Sequence, residues 1–270
     1  MGDYELAHRY ETVNLYRRGG VAKLELNRPD RMNAWNTQFG YDLRDAVRAT
    51  GADPEVRAVL VTGAGRAFSS GADLKDTPPQ TPTGQVDLRS VLTERYHPII
   101  TGLRRMPKPV VAAVNGAAAG IGLSLALACD LVLAAESSYF LLAFVNIGLV
   151  PDGGSSMLVP ARVGFARAIQ MAMLGERIPA AQALDWGLIN QVWPDAELGA
   201  QADTLVARLA EGPTASYAGT KRQLNNWLFR QMDDQLEFEA DIQQEMAGSH
   251  DFIEGVLAFT EKRAPRFTGS

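Results

Sequence analysis

Apolar positions follow two rhythms along this chain. Residues 11–17 and 21–26 are β-type runs, the second with Val21, Leu24 and Leu26 apolar, and Gly19-Gly20 between them supplies a hairpin turn. After the Asn27-Arg28-Pro29-Asp30 turn the period changes: Phe39, Leu43, Ala46 and Val47 share one face of a helix predicted over 35–50, with Gly51 as its stop. Short runs at 58–62, 110–114 and 131–135 are apolar throughout, the pattern of strands covered on both faces. Helices are predicted over 86–105 and from the glycine turn after Asn115 to Cys129. Strands alternating with helices define an α/β core. Past residue 180 the strand signal survives only at 188–193, and helices dominate 199–263. The expected organisation is a core over 1–198 followed by a helical region over 199–270.

Two segments depart from these rhythms. Residues 77–84 are rich in Pro and Thr without any period, which predicts a mobile loop able to act as a lid. Residues 109–129 carry no charge and are long enough for a membrane span. Asn115, Gly116, Gly120, Gly122 and Ser124 interrupt the run, and Lys108 and Asp130 abut it, so a buried strand followed by a buried helix is expected instead.

Composition narrows the function classes. The chain has 270 residues, 46% hydrophobic and 21% charged, which is ordinary for a compact globular protein and excludes disordered or coiled-coil readings. Against 26 Lys and Arg stand 31 Asp and Glu, a net charge of -5 that disfavours any general affinity for nucleic acid. The single cysteine, Cys129, lies in an apolar run and reads as a core residue. With no second thiol and no export-type leader at the N-terminus, a cytoplasmic protein without membrane attachment is expected.

Several motifs suggest chemistry. Gly116 to Gly122 forms a GxxxGxG turn and Tyr217 to Lys221 a YxxxK, together imitating a dinucleotide-dependent dehydrogenase. The glycine motif of that class belongs to the first strand, whereas here over a hundred residues precede it, and no matching serine stands before Tyr217. Ser124 resembles a nucleophile elbow without its final glycine, and His8, His97 and His250 lie far from any matching acid pattern. No metal-ligand spacing occurs, so no metal site is expected. The stronger constellation is a pair of glycine turns, each following a strand. The backbone N–H groups of Ala72 and Ile121 could converge there on one oxygen as an oxyanion hole, although glycines also serve simply to permit tight turns. Asp152, in Pro151-Asp152-Gly153, reads from the sequence alone as a turn residue and helix N-cap.

Three stretches carry a family resemblance: Phe68-Ser69-Ser70-Gly71-Ala72-Asp73-Leu74-Lys75, the run from Lys108 to Gly116, and Cys129-Asp130-Leu131-Val132-Leu133-Ala134. With Asn27-Arg28-Pro29, Asn33-Ala34, the turn around Trp186-Gly187, and Ser249, Asp251, Gly255, Phe259, Lys262, Arg263 and Pro265, they resemble the enoyl-CoA hydratase/isomerase, or crotonase, family over nearly the whole chain. The resemblance implies a crotonase-like β-β-α superhelix whose C-terminal helices associate into trimers, often paired as hexamers. It implies an acyl-CoA thioester as substrate, with coenzyme A entering as part of that substrate and no separate cofactor. Ala72 and Ile121 would hold the thioester carbonyl, with Gly71 and Gly120 shaping the turns and Ser124 a small residue facing the pocket. Asp73 and Leu74, in the segment after Gly71, would lie towards the adenine end, and Phe68, Phe144 and the 77–86 loop would line the acyl pocket. Arg31 and, from a neighbouring subunit, Lys262 are candidate phosphate partners, with Phe259 beside Lys262 in the C-terminal signature.

Within the family, hydratases carry two glutamates, and Ser124 and Phe144 occupy those positions here. Neither exchanges a proton at neutral pH. Asp152 stands where the family's isomerases carry their acid, which makes it the expected proton shuttle between C2 and C4 of a 3-enoyl-CoA. A hydratase with an unrecognised acid, a catalytically silent acyl-CoA binder and an isomerase of epoxide or ring-opened acyl-CoA are the alternatives.

Overall fold

The computed structural model describes residues 3–270, so the first two residues of the expected 1–198 core lie outside the described residues. Its N-terminal strands β1 (Glu5–Arg9), β2 (Val13–Arg18) and β3 (Val21–Leu26) form an antiparallel meander, with Gly19 at φ +54° in the turn. β1 is exposed along its whole length, so it lacks the apolar alternation by which a strand is read from sequence. Helix α1 (Thr37–Ala52) starts two residues later than its pattern suggests, because Asn36 accepts a hydrogen bond from the Phe39 N–H at 3.0 Å and caps it. It runs through Gly51 and ends at Ala52.

Three turns of a β-β-α spiral follow. β4 (Ala58–Gly63) and β5 (Ala67–Ser69) lead to α2 (Leu88–Val91), a π turn at Leu92–Tyr96, and α3 (His97–Arg105). β6 (Val110–Val114) and β7 (Ala117–Ala119) lead to α4 (Ile121–Ala128). β8 (Leu131–Ala135) and β9 (Tyr139–Leu141) lead to α5 (Ser155–Val163) and α6 (Phe165–Leu174). After β10 (Ile178–Pro179), α7 (Ala180–Asp185) and β11 (Gln191–Trp193) come α8 (Leu198–Glu211), α9 (Thr214–Leu228), α10 (Met232–Ala247) and α11 (His250–Glu261).

The first strand of each pair enters a seven-stranded sheet of order β1-β2-β3-β4-β6-β8-β11, parallel from β3 onward. The second enters a four-stranded sheet of order β10-β9-β7-β5, in which β5, β7 and β9 run parallel. The short strands of this small sheet escape sequence reading, since three-residue runs such as Ala117-Ala118-Ala119 carry no period. The expected strands at 110–114 and 131–135 are present with those limits.

Alternation in the large sheet divides the core. Val59, Val61, Val110, Ala112 and Val114 face the side packed with Phe39, Leu43, Ile99, Leu103 and α4. Leu60, Val111, Ala113 and Leu133 face Leu198, Ala202, Val206 and Ala210 of α8. The helix that opens the 199–270 region therefore covers the large sheet instead of forming a layer apart from it. The 77–84 loop contains no helix or strand but is cross-braced: Gln80 and Val86 form an antiparallel bridge, and the Asp87 N–H donates to Pro79 O at 2.8 Å. The uncharged 109–129 stretch resolves into β6, β7 and α4, and among the described residues no helix is long and apolar enough to cross a membrane.

Candidate active site

All three segments singled out by the sequence leave the small sheet at the C-terminal ends of its parallel strands. Ala72 follows β5, Ile121 follows β7, and the stretch from Phe144 to Asp152 follows β9. Ligands of parallel α/β sheets sit at that end, where strand-to-helix turns expose backbone amides.

Hydrogen bonding fixes the direction of the Ala72 amide. The Trp35 N–H donates to Gly71 O at 2.8 Å and the Asp73 N–H donates to Trp35 O at 3.0 Å, forming a parallel bridge around Ala72. Peptide groups alternate along an extended chain, so the Ala72 N–H points away from Trp35. The Ile121 N–H is the first of α4 and has no intrahelical partner by construction. Neither amide donates a hydrogen bond within the protein among the described residues. The two turns touch through glycine: Gly71 has φ +94°, and a Cβ there would lie 2.9 Å from Ala119 O.

The loop carrying Ala72 is anchored from behind. Ser69 Oγ accepts from Trp35 Nε1 at 3.1 Å and donates to Asn33 O at 2.9 Å, while Asn33 Nδ2 donates to Ala67 O at 2.8 Å. Asp73 pairs with Arg28 at 3.1 Å and accepts from the Lys75 N–H, which makes it a fastener of the loop. Leu74 is half-buried, and Phe68 is fully buried in the main core. Phe144 is buried beside Gly120, its Cζ 3.9 Å from where a Cβ on that glycine would stand.

Asp152 is buried behind these turns. A Cβ on Gly153 would collide with Ile121 Cδ1 and stand 3.0 Å from Ser124 Cβ, so the Asp152 turn packs directly on α4. Ser124 Oγ donates to the Asp152 main-chain oxygen at 2.8 Å, which accounts for this buried hydroxyl. The Asp152 carboxylate does not cap α5; the N-cap position is Gly154, without a side-chain cap. Glu239 of α10 does that work, accepting from the Gly154 N–H at 2.8 Å, the Ser156 N–H at 3.1 Å and the Ser156 hydroxyl.

Asp152 Oδ2 accepts from Gln243 Nε2 at 2.7 Å, whereas Oδ1 is buried without any hydrogen-bond partner. Burial pushes this carboxyl up to about 8, with the Gln243 donor opposing and the Glu239 carboxylate adding to the rise. Burial likewise pushes Glu239 up to about 7, against the hydrogen bonds it accepts. The Tyr96 hydroxyl, buried and within the field of Asp152, is held well above the usual phenol range.

Sequence reading missed Glu239 and Gln243, which sit on a predicted helix far along the chain. The available signal was a run of polar residues at fourfold spacing, Gln235, Glu239 and Gln243, which reads equally well as a solvated face. Arg31 and Lys262 are exposed and in no ion pair among the described residues, Lys262 closing α11 at φ +56°. Phe259 is exposed on α11. Among the described residues no hydrogen bond or ion pair joins these three side chains to Asp152, Glu239 or Gln243. Lys221 of the YxxxK motif is buried against Asp130 at 2.8 Å and Leu103 O at 2.7 Å, a packing role. A cavity of about 580 Å³ lined by Arg104, Lys221, Arg222 and Phe229 shares no residue with the Asp152 cluster. Chemistry, not volume, marks the site.

An enoyl-CoA hydratase/isomerase family model matches residues 16–270. The chain belongs to this family, and the parallel-sheet spiral is its crotonase fold. A probable enoyl-CoA hydratase of Rhodobacter capsulatus is 44% identical over 261 residues, covering 96% of this chain and 99% of that protein. The 1,2-epoxyphenylacetyl-CoA isomerase of Escherichia coli is 42% identical over 251 residues, covering 93% and 95%. The crystal structure of an enoyl-CoA hydratase from Mycobacterium avium subsp. paratuberculosis superposes with a TM-score of 0.88 at 42% identity, covering 96% of this chain and all of that one. Hydratase and isomerase names thus both occur among its relatives.

Proposed function

We propose that this acyl-CoA enzyme is an isomerase that moves a 3-enoyl-CoA double bond into conjugation with the thioester, using Asp152 as its single proton shuttle. The observation that carries this reading is the division of labour between two buried carboxylates. Glu239 has both oxygens committed to the α5 N-terminus, whereas Asp152 is relieved of capping and keeps Oδ1 free. Ionised Asp152 takes a proton from C2, and the C2–H electron pair moves into the thioester as an enolate whose oxygen accepts from the Ala72 and Ile121 N–H groups. The resulting carboxylic acid returns the proton at C4, leaving the double bond between C2 and C3. Amides already oriented towards the developing charge need no rearrangement, which is why such donors contribute strongly to rate.

A carboxyl with a pKa near 8 is matched to this task. Ser124 and Phe144 offer no second acid for activating water, and this disfavours hydration. The substrate is bound as its coenzyme A ester with no further cofactor, and Arg31 and Lys262 remain candidates for its phosphates. The working form is a homo-oligomer, a trimer or a pair of trimers, as exposed apolar side chains on α6, α9 and α11 favour. The protein works in the cytoplasm. A second reading, isomerisation of an aromatic epoxide-CoA at the same carboxylate, is favoured by the likeness to 1,2-epoxyphenylacetyl-CoA isomerase.

Absorbance of the conjugated thioester separates these readings. A rise with a 3-enoyl-CoA, without loss of signal from a 2-enoyl-CoA, supports the double-bond shift. Loss from the 2-enoyl-CoA identifies a hydratase, and turnover of 1,2-epoxyphenylacetyl-CoA alone selects the second reading. Asp152→Asn should keep the fold and lower turnover at least ~10³-fold; unchanged turnover would remove Asp152 from the chemistry.

A further inference from the structure

α10 turns a polar face towards the Asp152 turn. Gln235, Glu239 and Gln243 recur every fourth residue and so lie one above another along the helix. Gln235 Nε2 donates to Ser156 Oγ at 3.0 Å, Glu239 holds the first amides of α5, and Gln243 reaches Asp152 itself. A single helix, remote in sequence, grips the acid-bearing turn at three successive levels.

Gln243 makes two bonds whose directions are mutually fixed. The Val150 N–H donates to its Oε1 at 3.2 Å, so the amide must present Nε2 to Asp152 Oδ2. Flipping the amide would set N–H against N–H and oxygen against carboxylate. Only 1% of Gln243 is exposed, so water has no room to replace either bond. Val150 and Asp152 belong to the same turn, and one side chain therefore locks the backbone before the acid and the acid's own rotamer.

We propose that Gln243 is the positioning residue of this site: it pins Asp152 Oδ2, leaves Oδ1 as the oxygen that exchanges the proton, and favours the ionised carboxylate. The proposal rests on the acid/base role of Asp152 given above. A donor to a carboxylate stabilises its charged form, and here that donor offsets two opposing influences. One is burial; the other is Glu239, a like-charged neighbour on the same helix. Also facing Asp152 are Tyr96 from the π turn, whose hydroxyl stays neutral, and Ser124 from α4 and Ser155 from α5, whose hydroxyls donate to the main-chain carbonyl instead.

The test compares Gln243→Met, which cannot donate, with Gln243→Glu, which keeps the length of the side chain and the acceptor for Val150 but sets a carboxylate against Asp152. Two readouts are taken: the pH profile of kcat/KM, and the titration of the Asp152 carboxyl in a difference infrared spectrum against Asp152→Asn. Both variants should move the rising limb and the carboxyl midpoint upward by about one pH unit or more, a tenfold loss of the ionised form at neutral pH. Much of the lost rate should return at high pH. A rate loss uniform across pH with an unmoved midpoint, or no change at all, would overturn the proposal. Should Gln243→Met not fold, Gln243→Glu decides alone. Because the infrared midpoint needs no turnover, an upward shift in an enzyme indifferent to Asp152→Asn would retain Gln243 as the residue that sets the carboxyl's ionisation, while removing the proton-shuttle reading and the catalytic part of the proposal with it.

Discussion

At the scale of single residues, the buried carboxyls set a trade between stability and ionisation. The folded-state pKa of Asp152 is raised from 3.8 to about 8, so the fold favours the neutral form. Its contribution to stability is fully present below the unfolded pKa and is lost as pH climbs through the folded one. Asp152→Asn should therefore stabilise the protein progressively as pH rises, by roughly 1–3 kcal/mol more at about pH 9 than at about pH 4, read from urea midpoints at each pH. Wild-type kcat/KM should rise through about pH 8 as Asp152 ionises. Gly71 illustrates the opposite kind of residue, required for what it lacks. Gly71→Ala would place a methyl against Ala119 O in a left-handed conformation and separate the two amide-bearing turns, and kcat/KM should fall at least about tenfold with the protein still folded by circular dichroism.

At the scale of elements, the fold is held by polar joints between segments far apart in sequence. Asp130, at the start of β8, ties α3 to α9 by receiving Arg104 at 3.3 Å and Lys221 at 2.8 Å, and it also accepts from the Val110 N–H at 2.9 Å. Asp130→Ala leaves two largely buried cations without their anion and should destabilise the fold by about 3–5 kcal/mol, measured by denaturant unfolding. Elements with a strong apolar period were legible in the sequence: β3, β6 and β8 lie where their patterns put them, and α1 where Phe39 and Leu43 indicate. Elements defined by pairing alone were not. β1 is all exposed and β7 is three alanines, so only the partner strands make either of them a strand. The 86–105 helix carries a π turn that its periodicity cannot express.

For the whole molecule, the apolar surface is the conspicuous feature. Trp227 is 83% exposed, Phe165 77% and Met173 66%, on helices that bury little of their surface within the chain: Lys221 alone is buried on α9, and Ala168 and Met171 on α6. Large apolar side chains left in water at this density mark surfaces that meet other chains. Sedimentation velocity should find an assembly larger than one chain, and Trp227→Glu should shift it towards the monomer if α9 lies in the interface. A monomeric wild-type protein would leave these faces without that explanation.

The sequence by itself determined the parallel core, the two amide-bearing glycine turns and the family, because these depend on local period, on glycine at required turns and on motifs in a fixed order. It also placed Asp152 ahead of a helix, but a capping aspartate and a proton-transferring one look alike in a string of residues. Tertiary structure removed the capping role: Glu239 arrives from α10 to cap α5, and Gln243 occupies one oxygen of Asp152 and leaves the other free. Burial, the fixed sense of a hydrogen bond and the field of a neighbouring charge arise only when distant segments meet, so no local pattern can encode them.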